Sequence, residues 1–569
     1  MAMGAISERT IVGAKTLALG LLLVLAPLAW AADIRRSAAI LADIPHSVRP
    51  AAMYGVAVVL SFAALVIAPF LRNHFVRCAF LLLFLAAFAV DRIVLATSGH
   101  HLDVTVLKLL WHNRSLAGPV LSEYASVIAP YCLATAALGC VLAWPPRQGL
   151  GLRYAAVPVA ALVAVPIQYV SWKGALDGYP SPFLVAARAS WVLIKPSTHN
   201  DLPLEPVTLP RDRNRASMFD TIVFVMDESV RGDYLTVNNG SIDTTPFLAS
   251  SANRIVNFGI ASSGGNCSVA SRWMFRRGVR PWQLPNQPSL SDQADGIETG
   301  PRTTIWQFAK TAGFRTVYID PFRPESGELH SGLSPRELGF VDERIVLDGP
   351  RHQRDLEAAR LLVSTLSRKD RTFLYIDKIG AHFPYDANYP DDFNRYAQPD
   401  GSRFIYARHT RNDLMGSYKN AVSWNVDGFF REVFRDADLG RALMVYTSDH
   451  GETAWADSAT LWRHCEAEPV SPAEVWVPLI AVTGDKAFDA ALRASATRSF
   501  DHATHFEIFP TLLVAMGYEA DAVTARYGPT LLDVATSRRR QFVTGDVIGR
   551  DARRWFDASA SPVRDASAR

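Results

Sequence analysis

Cysteine is scarce in this chain: five residues among 569, with no CxxC pair. Cys78, Cys132 and Cys140 fall in apolar segments, so only Cys267 and Cys465 lie in the polar part. That excludes a disulfide framework and leaves room for a single bridge. A surplus of charge of one sign is also missing, with 58 Lys and Arg against 55 Asp and Glu. Nothing therefore points to a nucleic-acid partner. Internal repeats and long low-complexity tracts are absent as well. What the chain has in quantity is apolar sequence, concentrated in its first third, and a length that calls for two or three domains.

The first third reads as membrane. Apolar runs at about 16–32, 51–71, 78–97, 126–144 and 154–172 each approach the length a bilayer requires. The first has a second reading, because Arg9 and Lys15 precede an apolar core ending in Ala29-Trp30-Ala31, the pattern of a cleaved signal peptide. Two arginines in each of the short loops 72–77 and 145–153 mark those loops as cytoplasmic turns. Five spans from an inside N-terminus then place everything after about residue 173 outside the cytoplasm. Asp91 and Arg92 sit near the outer end of the third run, as a functional pair or a local ion pair at the interface. Residues 174–218 form a proline-broken connector in which 183–194 suits a helix lying on the membrane surface. The domain reading is thus 1–173 transmembrane, 174–218 connector, 219–550 catalytic and 551–569 a loose tail.

The polar part alternates short apolar runs with helical segments. Strands are expected at 221–226, 316–319, 372–376, 443–446 and 477–482, and helices at 304–312, 353–368, 417–436 and 505–516. Such alternation predicts a doubly wound α/β domain, whose ligands bind at the carboxyl ends of the strands. The first strand ends in Asp227 and Glu228. Two adjacent acids repel each other, and a cation offsets that repulsion. Another strand delivers Asp449 and His450, with Gly451 letting the backbone turn behind them. Carboxylate oxygen beside imidazole nitrogen suits zinc or a similar divalent ion.

The expected nucleophile lies in Gly264-Gly-Asn-Cys-Ser-Val-Ala-Ser-Arg272. If Ser268 starts a helix, the helix amides and Arg272 both favour a phosphate or sulfate, with Asn266 as a neighbouring contact. A metal would lower the pKa of the Ser268 hydroxyl. Cys267 is the rival nucleophile, and its thiolate would also bind zinc.

Asp227-Glu-Ser-Val-Arg-Gly-Asp233, Asp243-Thr-Thr-Pro-Phe247, the Ser268 segment, Gly380-Ala-His-Phe-Pro-Tyr385, Ser448-Asp-His-Gly-Glu452 and His505-Phe-Glu-Ile-Phe-Pro-Thr-Leu-Leu513 together resemble the alkaline phosphatase/sulfatase superfamily. With the apolar third in front, the chain is most similar to membrane-bound phosphoethanolamine transferases and less so to lipoteichoic acid synthases. The resemblance implies a metal site of Glu228, Ser268, Asp449 and His450. It also implies Ser268 as the residue carrying the phospho-substituent, and His382 and His464 as contacts of the transferred group or proton donors to the leaving group. Two departures stand out. Asp227 replaces the glycine those transferases place before the metal-binding glutamate, and their disulfide cysteines are missing. Ser268-Val-Ala-Ser-Arg272 meanwhile satisfies the sulfatase pattern, which would need Ser268 oxidised to formylglycine.

The expectation is therefore a multi-pass helical membrane domain followed by an α/β sulfatase/alkaline-phosphatase-like domain with a central, mainly parallel sheet. It would sit in a bacterial inner membrane with its catalytic domain in the periplasm. Its reaction would move phosphoethanolamine or phosphoglycerol from a phospholipid to an envelope glycan or lipid through Ser268, with zinc as cofactor. A membrane-anchored sulfatase or phosphodiesterase, and a non-catalytic envelope-binding protein, are the alternatives.

Overall fold

A computed structural model describes residues 48–98, 125–146, 148–171, 179–194, 204–212, 218–283, 302–322, 333–368, 370–396, 411–453, 470–536, 540–544 and 554–558, with isolated positions that include 12–17, 102, 464 and 465. The chain divides into two compact units, one built from residues 1–198 and the other from most of the remainder.

The first unit is helical. Its helices are α1 (Val48–Ile67), α2 (His74–Ser98), α3 (Ala125–Ala143), α4 (Ala156–Ser171) and α5 (Ser181–Ile194). Among the described residues, three stretches are long and apolar enough to cross a membrane: Ala52–Phe70, His74–Ala96 and Leu152–Ser171. The expected run at 126–144 is helix α3, and most of the run at 16–32 lies outside the described residues. Helix α5 belongs to the helical unit rather than to the connector: Phe183, Leu184, Ala187 and Trp191 are buried in its core with Tyr54, Tyr169 and Tyr179. Asp91 and Arg92 form a buried ion pair of 2.8 Å, and Asp91 also accepts from Ser181 Oγ at 2.9 Å. Pairing removes most of the cost of burying either charge.

The second unit is a sheet between two helical layers. Its strands are β1 (Thr221–Asp227), β2 (Val256–Ser262), β3 (Arg315–Asp320), β4 (Glu343–Val346), β5 (Thr372–Asp377), β6 (Ala442–Ser448) and β7 (Trp476–Thr483), in the order β2-β7-β6-β1-β5-β3-β4. Strands β6, β1, β5, β3 and β4 are parallel, while β7 runs antiparallel to both β6 and β2. The sheet is therefore mixed and mainly parallel. All seven residues of β1 are buried, as both faces of a covered central strand require. Successive side chains alternate between the two layers. Ile222, Phe224 and Met226 pack with helices α7 (Ile305–Thr311) and α11 (Ile508–Ala515). Val223 and Val225 pack with α8 (Arg351–Leu366), α9 (Arg411–Val422) and α10 (Gly428–Asp436).

Strands β2 and β4 have no counterpart in the sequence expectation. Strand β4 has only four residues, and the alternating Val256, Phe258 and Ile260 of β2 are interrupted by polar Asn257 and by Gly259, where the register shifts. Most of the expected loose tail, 551–569, lies outside the described residues, but 554–557 within it are extended. Strand β9 (Arg554–Asp557) pairs antiparallel with β8 (Gln541–Thr544), and Phe542 and Phe556 stack at 5.6 Å. An aromatic cross-strand pair of this kind holds a short hairpin that composition alone does not announce.

Candidate active site

Strand β1 has β6 on one side and β5 on the other, so three parallel carboxyl ends lie side by side. The ladder continues one step past the strands: Asp449 N donates to Asp227 O at 3.0 Å, and Lys378 N to Met226 O at 2.9 Å. This brings Glu228, Asp449 and His450 together, with one potential ligand atom from each lying within 4.8 Å of the others. All three are fully buried. Gly451 makes the turn after them possible through close approach, since a Cβ there would lie 2.1 Å from Ala473 O.

Ser268 is the first residue of a helix, α6 (Ser268–Arg277), as the sequence allowed. Its Oγ lies 3.2 Å from Glu228 Oε1 and 3.1 Å from His450 Nε2, and the residue is half-buried. A hydroxyl thus meets the edge of an acid–imidazole cluster at a helix N-terminus. His464 joins the group: its ring lies 4.3 Å from that of His450, and its Nδ1 is 3.4 Å from Glu452 Oε2.

Four expected roles change. Asp227 stands outside the cluster because it follows Val225 onto the opposite face of the sheet. There it pairs with Lys378 and accepts from Tyr446 Oη at 2.7 Å. Arg272 is not placed to meet a substrate anion. It is completely buried, with Nε 2.9 Å from Asp449 Oδ2, Nη2 2.8 Å from Glu228 Oε2 and Nη1 2.6 Å from Asp377 Oδ1. Its guanidinium is engaged by carboxylates that approach the site from three strand ends. Asn266 is buried as well, and its amide donates to Glu474 Oε2 at 2.8 Å. Cys267 is joined to Cys465 in a disulfide, so it supplies no thiolate as nucleophile or ligand.

His382 follows β5 on a loop whose Ala381 N donates to Glu228 O at 3.0 Å. Its ring nitrogen Nδ1 lies 3.0 Å from Arg351 Nη2. Asp377 is a site neighbour that sequence reasoning missed, although it directly follows an expected strand. Its Oδ2 accepts from Tyr318 Oη at 2.6 Å. The available signal was a third strand ending in an acid.

Burial dominates the electrostatics. It raises the Asp449 carboxyl above its ordinary range, and the nearby Glu228 adds to the rise. Burial likewise pushes Asp227 up to about 6 against the opposing pull of Lys378, and Asp377 up to about 6 against that of Arg272. Burial lowers His450, but Asp449 and Glu228 outweigh it and push the imidazole up to about 10. Neighbouring carboxylates thus draw positive charge to this point. Two carboxylates, one imidazole and a serine hydroxyl form an oxygen-and-nitrogen donor set that fits a divalent cation such as zinc.

The sulfatase family model matches residues 220–518, more than half of the chain. The chain belongs to the sulfatase family. As a sulfatase-family protein it is 23% identical over 440 residues to the Kdo(2)-lipid A phosphoethanolamine 7''-transferase of Escherichia coli K12, covering 72% of each chain. It is also 23% identical over 418 residues to the protein of that name from Salmonella typhimurium, covering 68% of this chain and 67% of the relative. Among solved structures it resembles the integral membrane lipooligosaccharide phosphoethanolamine transferase A of Neisseria meningitidis. The TM-score is 0.59 at 19% identity, over 92% of this chain and 99% of that one. The likeness extends the family fold to the helical region in front of the sulfatase domain.

Proposed function

We propose that this sulfatase-family protein is a membrane-bound, metal-dependent phosphoethanolamine transferase. It takes the group from a phospholipid, holds it on Ser268 and passes it to a sugar hydroxyl of an envelope glycolipid. The observation that carries this reading is Ser268 Oγ within 3.2 Å of Glu228 and 3.1 Å of His450, at the start of a helix. Relatives named as lipid A phosphoethanolamine transferases support the choice of group and acceptor. Helices long and apolar enough to span a bilayer support a lipid donor and an inner-membrane location with the catalytic unit in the periplasm.

Glu228, Asp449, His450 and Ser268 would hold the divalent cation, with zinc favoured by the mixed imidazole and carboxylate donors. When bound, such an ion lowers the pKa of a ligated hydroxyl and neutralises charge developing on a phosphoryl oxygen. The chain's own residues then do the rest. Ser268 Oγ attacks the donor phosphorus as its alcohol departs, leaving a phosphodiester on the serine, and the acceptor hydroxyl later displaces Ser268. The first amides of α6 face the transferred phosphate. His464, beside His450 and partly exposed, gives a proton to the departing oxygen. Arg272 keeps Glu228 and Asp449 aligned.

Mass spectrometry of the Ser268 peptide from protein purified out of membranes tests this. A phosphoethanolamine adduct, absent in Ser268→Ala, is expected. Formylglycine at position 268 would overturn the reading and make the protein a hydrolytic sulfatase, and undiminished transfer by Ser268→Ala would remove the nucleophile.

A further inference from the structure

The disulfide Cys267–Cys465 closes a separation of 198 residues, and its two ends adjoin two residues of the candidate site. Ser268 follows Cys267, and His464 precedes Cys465. A second tie runs beside the bridge, since Cys465 N donates to Asn266 O at 2.9 Å. The anchor is firm on the Cys267 side. Asn266 is held by Glu474 at 2.8 Å, and Cys267 packs against a cluster of Ala270, Trp273, Met274 and Val543. Cys465 itself has φ +62, a left-handed backbone that a residue with a side chain adopts only under constraint from its surroundings.

The ligand candidates need no such tether. Glu228, Asp449 and His450 extend from β1 and β6, whose ladder already sets their register. His464 belongs to neither strand, and long-range closure of its segment carries an entropic cost that the bridge removes. We propose that Cys267–Cys465 is a positioning device for the transfer reaction: it holds His464 against His450 and Ser268, so proton delivery depends on the bridge while metal binding does not. This inference rests on the transferase reading above.

The test is a mutant cycle on full-length protein in membranes, with phosphatidylethanolamine as donor and a lipid A acceptor. Both cysteines are replaced together, as Cys267→Ser with Cys465→Ser, because a lone thiol beside Ser268 would compete for the metal. The paired variant should lose about 10²-fold in kcat, the scale of one general acid, with KM and metal content kept. His464→Gln should lose a similar factor in kcat, again with KM and metal content kept. Combining all three changes should cost no more than His464→Gln alone. Full turnover in the paired variant, or losses that multiply, would overturn the proposal.

If the paired variant does not accumulate, the folded wild-type protein is reduced in place by a phosphine, which takes oxygen from water as the bridge becomes two thiols. Turnover that persists with both thiols counted as free and the metal retained then overturns the proposal. Loss of kcat with KM and the metal retained supports it. The Ser268→Ala result stands apart: transfer surviving there breaks the parent reading whatever the cysteines do.

Discussion

Asp227 and Glu228 are neighbours in the chain, yet they belong to differently built charge clusters on opposite faces of one sheet. On the Glu228 side, Glu228, Asp449 and Asp377 surround the single guanidinium of Arg272. Without a metal, Asp449 and Glu228 hold the His450 imidazole protonated; with His450 neutral, as a metal ligand must be, two negative charges remain, which is the charge a divalent cation brings. On the Asp227 side, Asp227 and Asp355 share the ammonium of Lys378. Neutral donors take up what is left: Tyr446 to Asp227 at 2.7 Å, and the amides of Ile379 and Gly380 to Asp355 at 2.8 and 2.9 Å. One cluster is closed within the protein and the other is open to a ligand. Adjacent acids at a strand end therefore carry different chemistry, decided by the face each one meets.

Replacing one acid at a time separates the two sides. Glu228→Gln should have the largest effect, removing the cation and lowering transfer by about 10³-fold, equivalent to several kcal/mol of charge stabilisation. Metal analysis beside turnover reads both, and retention of both would move the metal site elsewhere. Next comes Arg272→Met, which strips the counter-charge from three buried carboxylates and should cost about 3–5 kcal/mol in thermal or denaturant unfolding. If Arg272 bound the transferred group instead, KM would rise with stability unchanged.

Asp227→Asn should have the smallest effect on the reaction. It should lower stability by about 1–3 kcal/mol through the weakened Lys378 pair, with metal content unchanged. Turnover should change by less than about tenfold, below the range typical of groups that orient metal ligands. Loss of metal in this variant would dissolve the contrast between the two faces.

Much of this arrangement was readable from residues alone. The runs that became β1, β5 and β6 are apolar, that of β1 also β-branched, and the acids at their ends mark where the polar chemistry begins. Ser268 could be placed at a helix start because small residues precede it and a helix-compatible stretch follows. What could not be read was strand direction at β7, the edge strand β2 and the hairpin at the C-terminal end. A short apolar run has the same appearance whether its neighbours are parallel or antiparallel.

The sequence by itself determined the two-part organisation, the strand ends that bear acids and imidazole, and the ordered set of family motifs. Local periodicity and residue chemistry are enough for each of these. Only the tertiary structure decided that Glu228 joins Asp449 and His450 while Asp227 turns to Lys378. It also decided that Arg272 serves three carboxylates and that Cys267 is held by Cys465. Each outcome depends on which residues, distant in the chain, the strand order places opposite one another. Charge burial then selects among partners by distances of a few ångströms, a quantity that only the packed sheet supplies.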